Sequence, residues 1–233
     1  MVYRALRHAI IEQALAPGSK LPEDAIGEQF GVSRTLVREA LARLEAEGLV
    51  TLRRNRGAAV AYPSLEEARD VFTVRRTMEM LAVELLCGQL REHDIARLEA
   101  HLASEEDARH RGGAESIRLA GEFHLLLAEL TGNALLNRYV NELASRCSLI
   151  LAIYGRPHSA ECAVQEHRQL IDALREGDIA RCRALMDEHL AAVMDRALLN
   201  RPPPRDVRDV LARYAETGGL AAAARKTRKH RNP

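Results

Sequence analysis

Three histidines fall on the apolar stripes of three separate helical segments. His124 aligns with Ile117, Ala120 and Leu127. His167 aligns with Ala163, Leu170, Ile171 and Leu174, and His189 with Cys182, Leu185, Met186 and Val193. Imidazoles converging from three helices of one bundle form the donor set of a divalent metal site, and neutral imidazole suits zinc or nickel. The same periodicity also fits hydrogen-bonded core histidines, so spacing leaves both readings open. Arg75 and Glu79 are a second candidate pair. They lie four apart on a stripe of Ala68, Val71, Phe72, Met78, Ala82, Leu85 and Leu86. Charges placed inward are costly unless paired or used. They form either a structural ion pair or a site in which Arg75 grips a carboxylate effector. Arg146 and Ser148, beside Leu149, Ile150 and Leu151, are further candidates for that pocket.

A different chemistry is suggested near the N-terminus. Ser33 is placed to cap a helix whose first turn carries Arg34, Thr35 and Arg38 on the side opposite Val37, Ala40 and Leu41. Arginine can grip a guanine edge or a phosphate, and threonine can meet a thymine methyl or a phosphate. The helix N-terminus offers N–H groups to a phosphate. Arg53, Arg54, Arg56 and Gly57 fall in a turn between two short strand-like segments. Taken alone, these arginines would be read as a solvated face; their context changes that reading.

That context is three helices followed by a hairpin. Periodicity predicts helices over 2–15 and 23–30 and a third from Ser33 to Gly48. Leu49–Leu52 and Ala58–Ala61 read as paired strands. The layout is a winged helix-turn-helix in residues 1–62, which places Arg34, Thr35 and Arg38 at the start of a recognition helix and the other three arginines in a wing. From Ser64, where Ser64 and Glu67 form a capping box, only helices are predicted: to about Leu90, then about 92–110, 115–131, 134–154, 161–176 and 178–200. The expected fold is therefore mainly α, a winged head followed by an antiparallel all-α bundle over 64–200. Residues 201–233 read as a Pro-rich linker, a short helix and a basic tail.

Charge follows the same divisions. The chain has 233 residues and a formal net charge of +1. Residues 1–62 carry +2, residues 63–200 carry −7 and residues 201–233 carry +6. The near-neutral total is a cancellation and does not exclude a DNA partner. Aromatics are 3%, with no Trp, which disfavours a stacking platform for single strands. Four cysteines without a C-x-x-C pair suit a reduced cytoplasmic protein. No apolar run approaches a membrane span, and Arg4, Arg7 and Glu12 argue against a signal peptide.

The string GVSRTLVREALARLEAEGLV followed by RGAAV resembles the GntR family of bacterial transcription regulators. Leu36 stands where many members have Pro. Asp24 stands where the family often has a phosphate-contacting Arg, so that contact does not carry over. The strings EFHLLLAELTGN, EHRQLIDALREGD and MDEHL resemble the FCD ligand-binding domain of the FadR-type branch. The resemblance implies a metal held by an Asp and three histidines. The histidines match at 124, 167 and 189, but the Asp position is Ala120. Three readings follow: three histidines bind metal with positions open to water or an effector carboxylate, Glu122 substitutes from an unfavourable angle, or metal binding is lost.

The expected function is a homodimeric regulator on a double-stranded operator, responding to a small organic-acid effector. The family resemblance implies repression released by effector. One alternative is a hydrolase in which a three-histidine metal activates water. That reading lacks a placed general base and leaves the head idle. The other keeps DNA binding and makes the bundle purely structural. The tail segment RKTRKHR, residues 225–231, reads as a solvated charge run that would add salt-sensitive attraction to DNA.

Overall fold

A computed structural model describes residues 1–54, 56–111, 114–155 and 160–198. The linker, short helix and basic tail expected over 201–233 lie outside the described residues, as does the side chain of Cys162. The head begins with α1 (Val2–Ile11), then a two-residue strand β1 (Lys20–Leu21), α2 (Glu23–Phe30) and α3 (Arg34–Ala46). Strands β2 (Val50–Arg53) and β3 (Gly57–Val60) close it. Ser33 Oγ accepts the Leu36 N–H at 3.4 Å, which gives α3 the cap expected of it.

The wing is a three-stranded antiparallel sheet in the order β1-β3-β2. Val50 pairs with Val60 and Arg53 with Gly57, as a hairpin requires, and Lys20 pairs with Ala59 on the other edge of β3. A two-residue strand has no alternation to detect, which is why only the hairpin is legible in the sequence. Leu6, Ile10, Val37, Leu41, Leu44, Leu49 and Val60 form the head's core.

The bundle comprises α4 (Leu65–Leu86), α5 (Glu92–Arg111), α6 (Ala114–Leu130), α7 (Ala134–Tyr154), α8 (Ala160–Glu176) and α9 (Ile179–Leu198). Ser64 Oγ accepts the Glu67 N–H at 3.1 Å, and Asn133 Oδ1 caps α7 through the N–H groups of Leu135 and Leu136. Helix α4 packs against α7 and α9, while α5 packs against α6 and α8. It stops at Leu86, short of the expected Leu90, because Cys87 takes an extended ψ of 118°. Its buried stripe also differs from expectation. Val83 is fully buried and Leu85 is 44% exposed, so the face turns by about one residue near the C-terminal end.

Head and bundle touch directly. Leu149 of α7 is 1% exposed and belongs to the head's core, not the bundle's. Arg7 of α1 donates to Asn141 of α7 at 3.0 Å, and Arg118 of α6 donates to Glu12 at 2.8 Å. Gly48, at the end of the recognition helix, has φ +71°. A Cβ there would lie 2.5 Å from Arg146 Nε, so the backbone favours glycine and any larger residue would displace the Arg146 side chain.

Candidate functional site

In the head, α3 presents Arg34, Thr35 and Arg38 to solvent and buries Val37, Ala40, Leu41 and Leu44. Ser33, Arg53, Arg54, Arg56 and Gly57 are also exposed, and Gly57 has φ +77° in the wing turn. The recognition-helix arginines are not free. Asp24 meets Arg34 with both oxygens, Oδ1 at 2.5 Å from Nε and Oδ2 at 2.6 Å from the terminal nitrogen Nη2. Glu23 accepts from Arg38 Nε at 2.8 Å. Both acids lie in the first turn of α2, where the helix dipole favours negative charge. Among the described residues, no carboxylate pairs with the wing arginines.

In the bundle, α6, α8 and α9 bring His124, His167 and His189 together. All three are buried, and one nitrogen from each lies within 4.8 Å of the others. Two of the rings are fixed from behind by hydrogen bonds. His167 Nδ1 faces Glu105 Oε2 at 2.9 Å, and His189 Nδ1 faces Glu166 Oε2 at 2.5 Å. His124 Nδ1 lies 2.5 Å from Glu79 Oε2, close in distance but without hydrogen-bond alignment. Phe123 stacks on the His167 ring at 3.9 Å between centroids and an interplanar angle of 13°.

A carboxylate behind Nδ1 sets the tautomer, because a ring that donates there keeps its lone pair on Nε2. The Nε2 atoms then form the inner face of the cluster. His124 Nε2 and His189 Nε2 are 3.1 Å apart, and His167 Nε2 is buried with no hydrogen-bond partner. At 3.1 Å the His124–His189 contact is a hydrogen bond when one of the two nitrogens carries a proton; with all three rings protonated at Nδ1, the gathered lone pairs would repel one another unless a cation lay among them. Three carboxylates, Glu79, Glu105 and Glu166, stand behind the cluster; Arg75 pairs with Glu79, and His101 lies 3.2 Å from Glu105.

The electrostatics keep His124 and His189 neutral. Burial pushes His124 down to about 3, against the opposing pull of Glu79. His189 is also lowered, chiefly by burial. Burial works to raise Glu79, but Arg75 and His124 hold it well below the usual carboxylate range. A neutral imidazole is the form that ligates a metal.

Arg75 and Glu79 are 4% and 2% exposed and pair through Nε and Oε1 at 2.5 Å. The ion-pair reading of these two residues is therefore the geometry seen, and it joins the histidine cluster through the other oxygen of Glu79. Arg146 and Ser148 are not brought to this pocket. Arg146 pairs with Glu67 at 2.8 Å and Glu142 at 3.0 Å. It lines a groove of about 270 Å³ with Gly48, Thr51 and Tyr62 at the junction with the head. Ser148 Oγ donates to the Ala144 carbonyl of its own helix at 3.1 Å. The neighbour that does meet Arg75 is Cys147. Consecutive helical residues point about 100° apart, so a helix that turns Cys147 toward Arg75 turns Arg146 away.

Ala120 offers no ligand. Glu122 is held by Arg118 at 2.9 Å, so it does not stand in for the missing acid. The sequence reading missed Glu105 and Glu166. Glu105 continues the buried series Ile95, Leu98, Leu102 and Ala108 at spacings of three and four, a signal available beforehand. Glu166 is half-buried beside His167 and had no comparable signal.

A model of the FCD domain matches residues 70–192, and a model of bacterial regulatory proteins of the gntR family matches residues 1–60. The uncharacterized HTH-type transcriptional regulator YdhC of Bacillus subtilis is 31% identical over 179 residues, 75% of this chain and 79% of that protein. The HTH-type transcriptional repressor RspR of Escherichia coli is 26% identical over 196 residues, 83% of this chain and 86% of that one. Among solved structures, E. coli McbR/YncC superposes with a TM-score of 0.71 at 26% identity, covering 82% of this chain and 94% of that chain.

Proposed function

Given that the chain belongs to the GntR family of transcription regulators, in the FadR-type branch with an FCD domain, we propose that a small carboxylate effector acting through a metal-containing bundle sets its affinity for an operator. The protein is a DNA-binding transcription regulator, and its relatives are regulators rather than enzymes. No helix among the described residues is long and apolar enough to cross a membrane.

The observation that carries the metal reading is the unpartnered, buried Nε2 of His167 facing the Nε2 pair of His124 and His189. These three residues would hold a divalent ion, zinc or nickel by ligand type. Such an ion would supply a Lewis-acidic centre able to bind an anionic oxygen. Glu105 and Glu166 orient the His167 and His189 rings, Glu79 lies beside His124, and Arg75 places a positive charge beside the cluster through Glu79. With Ala120 in place of the family's acid, a ligand position is left for water or the effector's carboxylate.

Dimerisation has support of a different kind. Val74, Leu81 and Leu85 of α4 are 45%, 41% and 44% exposed at spacings of seven and four, one apolar face without a partner in the monomer. A two-fold dimer would present two recognition helices to the halves of a near-palindromic site. The effector would act by binding the two arrangements of the heads unequally. Likeness to RspR favours repression.

Metal analysis with a thermal shift tests the sensor half of this reading. We expect about one zinc or nickel per chain. Restoring the ion to chelated protein at 100 times its dissociation constant should add about 2.7 kcal/mol of stability. His167→Ala should abolish both. Absence of metal from the purified protein, with no shift on adding it, would refute the metal centre and leave DNA binding standing.

A further inference from the structure

The recognition helix differs from the wing in how its arginines are held, and that difference points to a division of labour. A guanidinium is a planar fork with two edges, each able to make two parallel hydrogen bonds. Asp24 occupies the edge formed by Nε and Nη2 of Arg34, at 2.5 and 2.6 Å. The other edge, formed by Nη1 and the second N–H of Nη2, faces away from Asp24. That edge has the donor spacing that matches O6 and N7 of guanine in the major groove.

The pair is also neutral as a unit. An arginine that works by neutralising phosphate needs its charge free, and releases counterions in doing so. A carboxylate bound to it cancels that contribution and repels any phosphate close by. Arg53, Arg54 and Arg56 lack such a partner among the described residues, so they retain full charge for the DNA backbone. Arg38 lies between these cases, with only Nε held by Glu23. The pair is solvent-exposed, Arg34 by 63% and Asp24 by 72%, so core packing does not account for it.

We propose that Asp24 is a positioning residue that turns Arg34 into a reader of guanine and withdraws it from phosphate binding, making Asp24 a determinant of operator specificity. This inference rests on α3 being the helix that enters the groove.

The test uses the full chain and a duplex selected by it from a random library. Each half-site should contain a guanine whose replacement by adenine weakens wild-type binding by about 10–100-fold. Arg34→Ala should lose that discrimination. Asp24→Asn, which keeps shape but removes charge, should also lose most of it, while binding unrelated duplex at least as tightly and with a salt slope steeper by about 1. The double variant should discriminate no worse at that base than Arg34→Ala alone. Unchanged melting of Asp24→Asn would exclude a folding cause. If Asp24→Asn keeps the full guanine preference, or weakens all duplexes equally, the positioning role is refuted while DNA reading stands. If the library yields no enriched duplex, both are refuted.

Discussion

Two arginine–carboxylate pairs in this molecule have the same closest approach and opposite surroundings. Arg34 and Asp24 meet at 2.5 Å with side chains 63% and 72% exposed. Arg75 and Glu79 also meet at 2.5 Å, with side chains 5% and 2% exposed. Contact distance therefore says little about what a pair is worth; solvent decides. At the surface, water screens the attraction and competes for both partners, so the contact chiefly sets direction. In the bundle each charge has lost its water and depends on the other, and Glu79 must serve Arg75 and His124 together. The head uses ion pairs to aim side chains at an external partner. The bundle uses them to keep charge inside a core.

The sharpest way to break this contrast is to remove the acid from each pair. Glu79→Ala should cost about 3–5 kcal/mol of stability, because it leaves Arg75 buried and alone. Asp24→Ala should cost less than about 1 kcal/mol. Urea unfolding of the two variants gives both numbers, and equal losses would overturn the contrast. A smaller effect is expected where the regions meet. Gly48→Ala should destabilise by about 1–2 kcal/mol through its left-handed backbone and should displace Arg146. Arg146→Ala should relieve the second part of that cost, so the double variant should lose less than the sum.

Below these, Arg54→Ala should leave stability within about 0.5 kcal/mol of wild type while reducing the salt slope of duplex binding by about 1. Titrating affinity against salt checks it. The smallest effect is expected at Asp94, a side chain of low exposure that accepts the Arg91 N–H at 3.1 Å at the start of α5. Burial works to raise its pKa, but the hydrogen bonds from Arg91 prevail and lower it. A lowered folded pKa means stabilisation is present above about 3.9, the unfolded value, and disappears as pH falls through the folded one. Asp94→Asn should therefore melt slightly below wild type at pH 7, and the gap should close on acidification below pH 4.

The parts of the fold that repeat were legible in the sequence. His124, His167 and His189 lie on stripes three and four residues apart, and Ser33, Ser64 and the Arg53–Gly57 turn carry local chemistry that needs no tertiary information. Parts set by a neighbouring helix were not. Arg146 and Cys147 are adjacent in sequence and equally plausible near Leu149, yet one faces the head and the other faces Arg75. Leu85 and Val83 exchange places because a stripe read from one helix drifts over 22 residues of α4. Asp24 was legible as a departure, but its pairing with Arg34 depends on the angle between α2 and α3. The carboxylates behind the histidines came from three different helices, α4, α5 and α8; Glu79 and Glu105 sat on readable series, and Glu166 did not.

Leu149 carries a consequence for how such proteins diverge. A side chain rooted in α7 fills the interior of the DNA-reading head. The head is thus not a cassette that recombination can exchange freely among sensors, because a transplanted head would meet a foreign residue at the place of its own missing leucine. Lineages that swap heads must carry this contact along or rebuild it. The boundary drawn by sequence near Pro63 is a boundary of chain, not of packing, and the unit that is inherited together extends across it.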